Sequence, residues 1–341
     1  MKFIKFFGFL VLGIGSIYFL GPAPSHPVYT HQLIEVPTQP IELEKYIATK
    51  EKKYEPIKPG NEAKIIWYND SIKFKPPYSL IYLHGFSASH EEGNPIHTQI
   101  AKEYGMNLFL TRLADHGRAN EEPLSGFTAK GAWEDAIEAL AMGKAIGEKV
   151  ILMSTSTGGT LSIMLAAQFP EIHAQILMSP NIAIKDPTAF MLNNHWGLQI
   201  ARKVMGGNYR IVADTTDLYA KYWNPKYRIE SLVELEELVE SGMNQNTFKK
   251  INQPTLLLYY YKDKLQQDPV VSVDAMREMF SSLRTDKDLK KDVPLPNVGN
   301  HVLGSYVKSA DLETVRLEIE KFIDSILKIP RISQNFHQNN H

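Results

Sequence analysis

The stretch Met153-Ser154-Thr155-Ser156-Thr157-Gly158-Gly159 sets hydroxyl side chains between an apolar run and two glycines. Val150–Met153 reads as a buried strand, and a helical pattern rich in small residues starts at Thr157. A strand that turns at once into a helix lifts its corner residue above the sheet and aims the first helical N–H groups at the space beside it. The chain crowds itself two residues to either side of such a corner, so small flanks are required. Here they are Ser154 and Gly158, a G-x-S-x-G pattern with serine in the first glycine's place. Ser156 is therefore a candidate nucleophile; a hydroxyl-rich cap for the following helix is the other reading.

A serine hydroxyl attacks poorly until a base takes its proton, so a histidine and an orienting carboxylate are needed. In parallel-sheet enzymes with this corner they follow it in the order acid, then histidine. Of the eleven histidines, His26 and His31 lie early and His337 and His341 in the tail, while His84, His90, His97, His116, His173 and His195 fall in other loops or helices. His301, in LPNVGNHVLG, comes just past the last strand-like run and before the last helical pattern. Two aspartates compete for the acid in YYYKDKLQQDPVVSVDAM. Asp263 stands at the distance of a short loop. Asp268 leads through Pro-Val-Val-Ser straight into a helix, which would pin its carboxylate; it is preferred, with Asp263 the alternative.

These residues need a rigid frame. Short β-prone runs recur at Ala63–Asn69, Tyr78–His84, Asn107–Thr111, Lys149–Ser154, Ala174–Ser179, Thr255–Tyr261 and Val293–Asn297. Most are apolar nearly throughout, as in strands covered on both faces. Helical patterns alternate with them: Gly131–Ile146, with Trp133, Ile137, Leu140 and Ile146 on one side, then Thr157–Phe169, Val270–Leu283 and Ala310–Leu327. The alternation predicts an α/β fold, a mostly parallel central sheet with flanking helices. Residues 181–253 break the rhythm, read as mainly helical, and are expected to form a cap inserted into a domain spanning 63–329. Within it, Glu234, Glu236, Glu237 and Glu240 read as a solvated helix face. Residues 23–62 read as a linker with a short helix near Ile41–Lys53, and 330–341 as a disordered tail.

The composition, 43% hydrophobic and 22% charged, supports a sizeable core. A net charge of −1 speaks against a nucleic-acid partner. With no cysteine, disulfides, thiolate catalysis and cysteine-held metals are excluded. Lys2 and Lys5 precede the uncharged run Phe6–Leu20, which GPAPSHP ends. Residues 1–22 are expected to be a membrane anchor, or a cleaved signal segment. The leading lysines favour export of the body to the cell envelope, membrane-anchored, or secreted or periplasmic after cleavage.

Taken together the chain resembles the α/β-hydrolase superfamily, in its monoacylglycerol lipase, esterase and serine-aminopeptidase-like branch, over roughly residues 64–328. The resemblance rests on YLHGFSAS (Tyr82–Ser89), TRLADHGRA (Thr111–Ala119), AWEDAIEAL (Ala132–Leu140), MSTSTGGTLS and GNHV, in order. Ser154 and the stretched acid loop are departures. The resemblance implies an oxyanion hole from the backbone N–H groups of Phe86 and Thr157. A serine esterase or lipase-like hydrolase is the expected activity, with Ser156, Asp268 and His301 as its triad, a small-molecule or lipid ester as substrate, and no metal or organic cofactor. Phe190, Met191, Leu192, Trp196, Leu198 and Ile200 in the cap suit an acyl chain. A peptidase or amidase, or a noncatalytic binding protein on the same scaffold, are the rival readings.

Overall fold

Residues 80–83 show why the strands read as continuous apolar runs. Leu80 and Tyr82 face one core with Ile151, Met153, Ile176 and Leu258; Ile81 and Leu83 face another with Val150 and Leu152. With no solvent face, neither set can be polar. The computed structural model describes residue 13 and residues 15–332. Most of the expected anchor or signal segment 1–22, and most of the tail 330–341, lie outside the described residues. Among the described residues no helix is long and apolar enough to cross a membrane.

The elements run α1 (Pro40–Lys52), β1 (Lys64–Ile66), β2 (Tyr78–Leu83), α2 (Ile96–Glu103), β3 (Asn107–Leu110), α3 (Ala129–Ile146), β4 (Lys149–Thr155), α4 (Thr157–Gln168) and β5 (Ala174–Met178). After them come α5 (Gly197–Met205), β6 (Tyr209–Ile211), α6 (Asp217–Tyr222), β7 (Lys226–Arg228), α7 (Glu230–Gly242) and α8 (Gln245–Phe248). The chain then returns through β8 (Thr255–Tyr260), α9 (Val273–Ser282), β9 (Lys290–Leu295) and α10 (Leu312–Phe322). Among the described residues seven strands form the main sheet, in the order β1-β3-β2-β4-β5-β8-β9. β1 is antiparallel to β3; every other neighbouring pair is parallel. The chain runs outward from β2 to β3 and then returns to β4 on β2's other side. That reversal opens a crevice at the carboxyl ends of β2 and β4, the place where open α/β sheets bind ligands.

Several elements differ from the sequence expectation. α2, with Ile96, Ile100 and Ala101 buried, was not anticipated. α9 starts at Val273, not Val270, because the Asp268 carboxylate first accepts the Val270 and Val271 N–H groups in a turn. The region 181–253 carries α5 to α8, and also a small antiparallel pair of β6 and β7. The stretch expected as a linker lies packed on the body. Leu43 and Ile47 of α1 are buried, Tyr29, Leu33 and Val36 pack on the same core, and the Trp133 indole N–H donates to Thr30 O at 2.9 Å. Glu236 and Glu237 are buried, contrary to the solvated face expected. His26 from the packed N-terminal strap and Asn193 from the cap both donate to Glu237.

Candidate active site

Ser156 follows β4 at φ +53° and ψ −117°, a left-sided backbone that side chains avoid and that costs on the order of 1–3 kcal/mol. Main-chain bonds hold it there: Ser156 N donates to Met178 O at 3.1 Å, and Ser156 O accepts from Gly159 N at 2.8 Å and Asn181 N at 2.9 Å. Its side chain makes no capping bond to α4. The hydroxyl is therefore not spent on the helix, although the residue is only 7% exposed.

The small flanks have separate causes. A Cβ on Gly158 would stand 2.0 Å from Leu83 O, so α4 leaves the corner in direct main-chain contact with the end of β2. Ser154 is fully buried, and its hydroxyl reaches only toward Ile176 O at 3.5 Å. Space there admits a serine where the usual pattern has glycine.

His301 and Asp268 meet across the neighbouring loops. The imidazole Nδ1–H donates to Asp268 Oδ2 at 2.7 Å. Asp268 is wholly buried, and its other oxygen accepts from Val270 N at 2.8 Å and Val271 N at 3.0 Å. Burial alone would raise this carboxyl's pKa; the His301 charge and these donors outweigh it and hold it below the usual range. Burial pushes His301 down, but the Asp268 carboxylate more than offsets that and holds it above an ordinary histidine. The pairing leaves Nε2 free to accept a proton. Asp263, by contrast, sits in an excursion that leaves β8 at Tyr261 and rejoins it at Gln267, where its carboxylate caps Leu265 N and Gln266 N. The extra residues thus form a small surface loop, and Asp268 N returns to bond Tyr260 O at 3.0 Å.

Phe86 lies just past the carboxyl end of β2 and Thr157 just past that of the neighbouring β4. Among the described residues neither backbone N–H has a hydrogen-bond partner. Two unpaired donors beside a buried serine suit an oxyanion. A Cβ on Gly85 would lie 3.0 Å from Ser156 Cβ, so only glycine lets the β2 loop come this close. Three further contacts hold that loop. His116 Nε2 accepts Ser87 N–H at 3.0 Å while its Nδ1–H donates to Ala114 O. His84 Nε2 accepts Leu113 N–H at 3.0 Å, and its Nδ1–H donates to Gly85 O. Asn224 N in the cap donates to Ser87 O at 2.8 Å. Both rings are neutral: burial pushes His116 down to about 4 and His84 well below its usual value. The Phe86 ring packs edge-on against His116, Phe127 and Tyr227.

The sequence marks His84 and His116 only through their places in the motifs YLHGFSAS and TRLADHGRA, and gives no sign of Glu92. Glu92 is 2% exposed, accepts the Gly85 N–H and faces the Trp223 indole. The Tyr219 and Trp223 rings stack at 5.1 Å and, with Ala88 and Val302, form an apolar cluster over the β2 loop. Among the described residues no cluster of three or more metal-binding side chains occurs.

No protein-family model matches the chain, and no curated protein matches it. Solved structures do. One is from work on LipS and LipT, two metagenome-derived lipolytic enzymes, with a TM-score of 0.63 and 17% identity over 78% of this chain and 98% of that one. The monoacylglycerol lipase of Paleococcus ferrophilus matches with a TM-score of 0.54 and 14% identity over 76% and 97%. Est1E from Butyrivibrio proteoclasticus, with ferulic acid bound, matches with a TM-score of 0.52 and 16% identity over 78% and 95%. The protein has the α/β-hydrolase fold.

Proposed function

We propose that the protein is a serine hydrolase that cleaves carboxylic esters, with lipid or acyl esters as the substrate class. The observation that carries this reading is the buried His301–Asp268 pair, 2.7 Å apart, on loops past the carboxyl ends of β8 and β9, the same side of the sheet as the strained Ser156 corner past β4. Ser156 Oγ attacks the ester carbonyl as His301 Nε2 takes its proton, and the Phe86 and Thr157 N–H groups receive the developing oxyanion. The imidazolium returns that proton to the leaving alcohol, which leaves an acyl-serine. Water activated by the same imidazole then releases the acid. Asp268 fixes the Nδ1–H tautomer and stabilises the imidazolium throughout.

The apolar cluster of Tyr219, Trp223, Ala88 and Val302 over the site supports an acyl substrate, as does the lipolytic character of the similar structures. The run Phe6–Leu20 would tether the domain to a membrane of the cell envelope, close to such substrates.

Covalent labelling by a fluorophosphonate tests the reading. The folded protein should label, and Ser156→Ala should abolish the label. No labelling of the wild type, under conditions where a control esterase reacts, would point to a binding protein instead. Hydrolysis of short- and long-chain esters measured against aminoacyl amides then fixes the class; faster cleavage of the amides would favour a peptidase.

A further inference from the structure

A triad needs one carboxylate, and this site has two. We propose that Glu92 is a positioning residue of the same site: one oxygen holds the His84–Gly85 peptide, next to the one that carries the Phe86 N–H, and its negative charge stabilises the imidazolium of His301. The inference rests on the serine-hydrolase reading.

The geometry is close-set. A Cβ on Gly85 would lie 2.9 Å from both Glu92 carboxylate oxygens and 3.0 Å from Ser156 Cβ. Gly85 thus has that carboxylate and the nucleophile's side chain both within reach of its Cα. The Gly85 N–H donates to Glu92 Oε2, which orients the next peptide, whose N–H belongs to Phe86. Around Glu92 stand His301 from the loop after β9, Tyr82 from β2, and Tyr219 and the Trp223 indole from the cap. Among the described residues no lysine or arginine pairs with it. Among the described residues His301 is the basic group whose charge acts on Glu92, and the charged groups acting on His301 are Asp268 and Glu92.

Burial pushes the Glu92 carboxyl up to about 7. Its charge is therefore present above neutrality and lost below it. With Glu92 ionised the imidazolium is favoured, so His301 titrates higher; with Glu92 neutral it titrates lower.

Glu92→Gln separates the two roles, because an amide oxygen still accepts the Gly85 N–H but carries no charge. The acid limb of the pH profile for fluorophosphonate labelling should move to lower pH by on the order of one unit, and the plateau rate should fall about tenfold, the same free energy expressed twice. Glu92→Ala, which also strands the Gly85 N–H, should lose more rate for the same shift of the limb. A Glu92→Gln profile that overlays the wild type overturns the inference while the serine-hydrolase reading stands. Failure of the wild type to label refutes that reading instead. The His301 Nδ1–H resonance then still decides Glu92 by NMR, without any substrate. In the wild type it should titrate in two steps, and a single step overturns the proposal.

Discussion

Gly158→Ala tests the corner most sharply. The new Cβ would stand 2.0 Å from Leu83 O, 2.5 Å from Leu83 C and 2.8 Å from His84 O, all of them main chain. Ordinary contact begins at 3.4 Å, so the start of α4 and the end of β2 must part by about 1.4 Å. Those two segments carry the Thr157 and Phe86 N–H groups, so the gap between the two donors widens by a similar amount. A misplacement of about 1 Å costs on the order of 100-fold in rate, and loss of one such donor about 100- to 1,000-fold. Overpacking of this kind costs about 1–3 kcal/mol, which in a domain of this size lowers Tm by several degrees and leaves it folded. The assay is the second-order rate of fluorophosphonate labelling, with a thermal melt on the same sample. Labelling should slow at least 100-fold. Ser154→Gly, at the flank where the hydroxyl has only a 3.5 Å contact, should stay within about twofold. A Gly158→Ala protein with wild-type rate and wild-type Tm would refute the argument that the tight flank sets the donor geometry.

Three other outcomes are expected. His116→Ala strands the buried Ser87 N–H; it should cost about 1–3 kcal/mol by urea unfolding and slow labelling about tenfold, and an unchanged rate would mean the ring does not hold the loop. Asp268→Asn should cut turnover by roughly 10⁴-fold, the effect known for a well-studied protease triad, whereas Asp263→Asn should change it less than twofold. Acid should destabilise the fold through His97 and His116, which burial holds at about 4. Their folded pKa lies below the unfolded value of about 6.5, so the unfolded chain binds more protons between the two. Stability is intact above about 6.5 and is lost as pH falls toward 4, by roughly 3 kcal/mol for each ring. His97→Gln should flatten the fall in urea midpoint across that window; an unaltered fall would show that the ring titrates normally.

The legible parts of this protein are those whose causes are local in sequence. Leu80 to Leu83 announce a strand covered on both sides because every residue is apolar, and the corner at Ser156 follows from the residues on each side of it. Asp268 could be preferred over Asp263 because Pro269 to Ser272 spell the turn that, in the structure, Val270 and Val271 N–H groups make with its carboxylate. What could not be read depends on partners distant along the chain. Glu92 sits in HEEGNP, which reads as a polar turn; the loop at His301 and the cap indole of Trp223 give it a buried setting. Glu236 and Glu237 carry the charge pattern of a wet helix face. Glu237 is covered where the strap containing His26 crosses that face, and burial raises Glu236 to about 7. A segment read as a linker gives no hint of what it will lie upon.

The hydrogen bond from Asn224 N to Ser87 O joins the cap to the loop that carries Phe86, whose N–H is one of the two amides proposed to receive the oxyanion. Lys58 braces the same junction by donating to Ala220 O, Trp223 O and the Asn224 side chain. If a bulky reactant displaced α6, the loop bearing the Phe86 N–H would lose this brace until the roof re-seated. On the proposed reading, admission and chemistry would share one mechanical joint, so a molecule too large to let the roof settle would be held without being turned over.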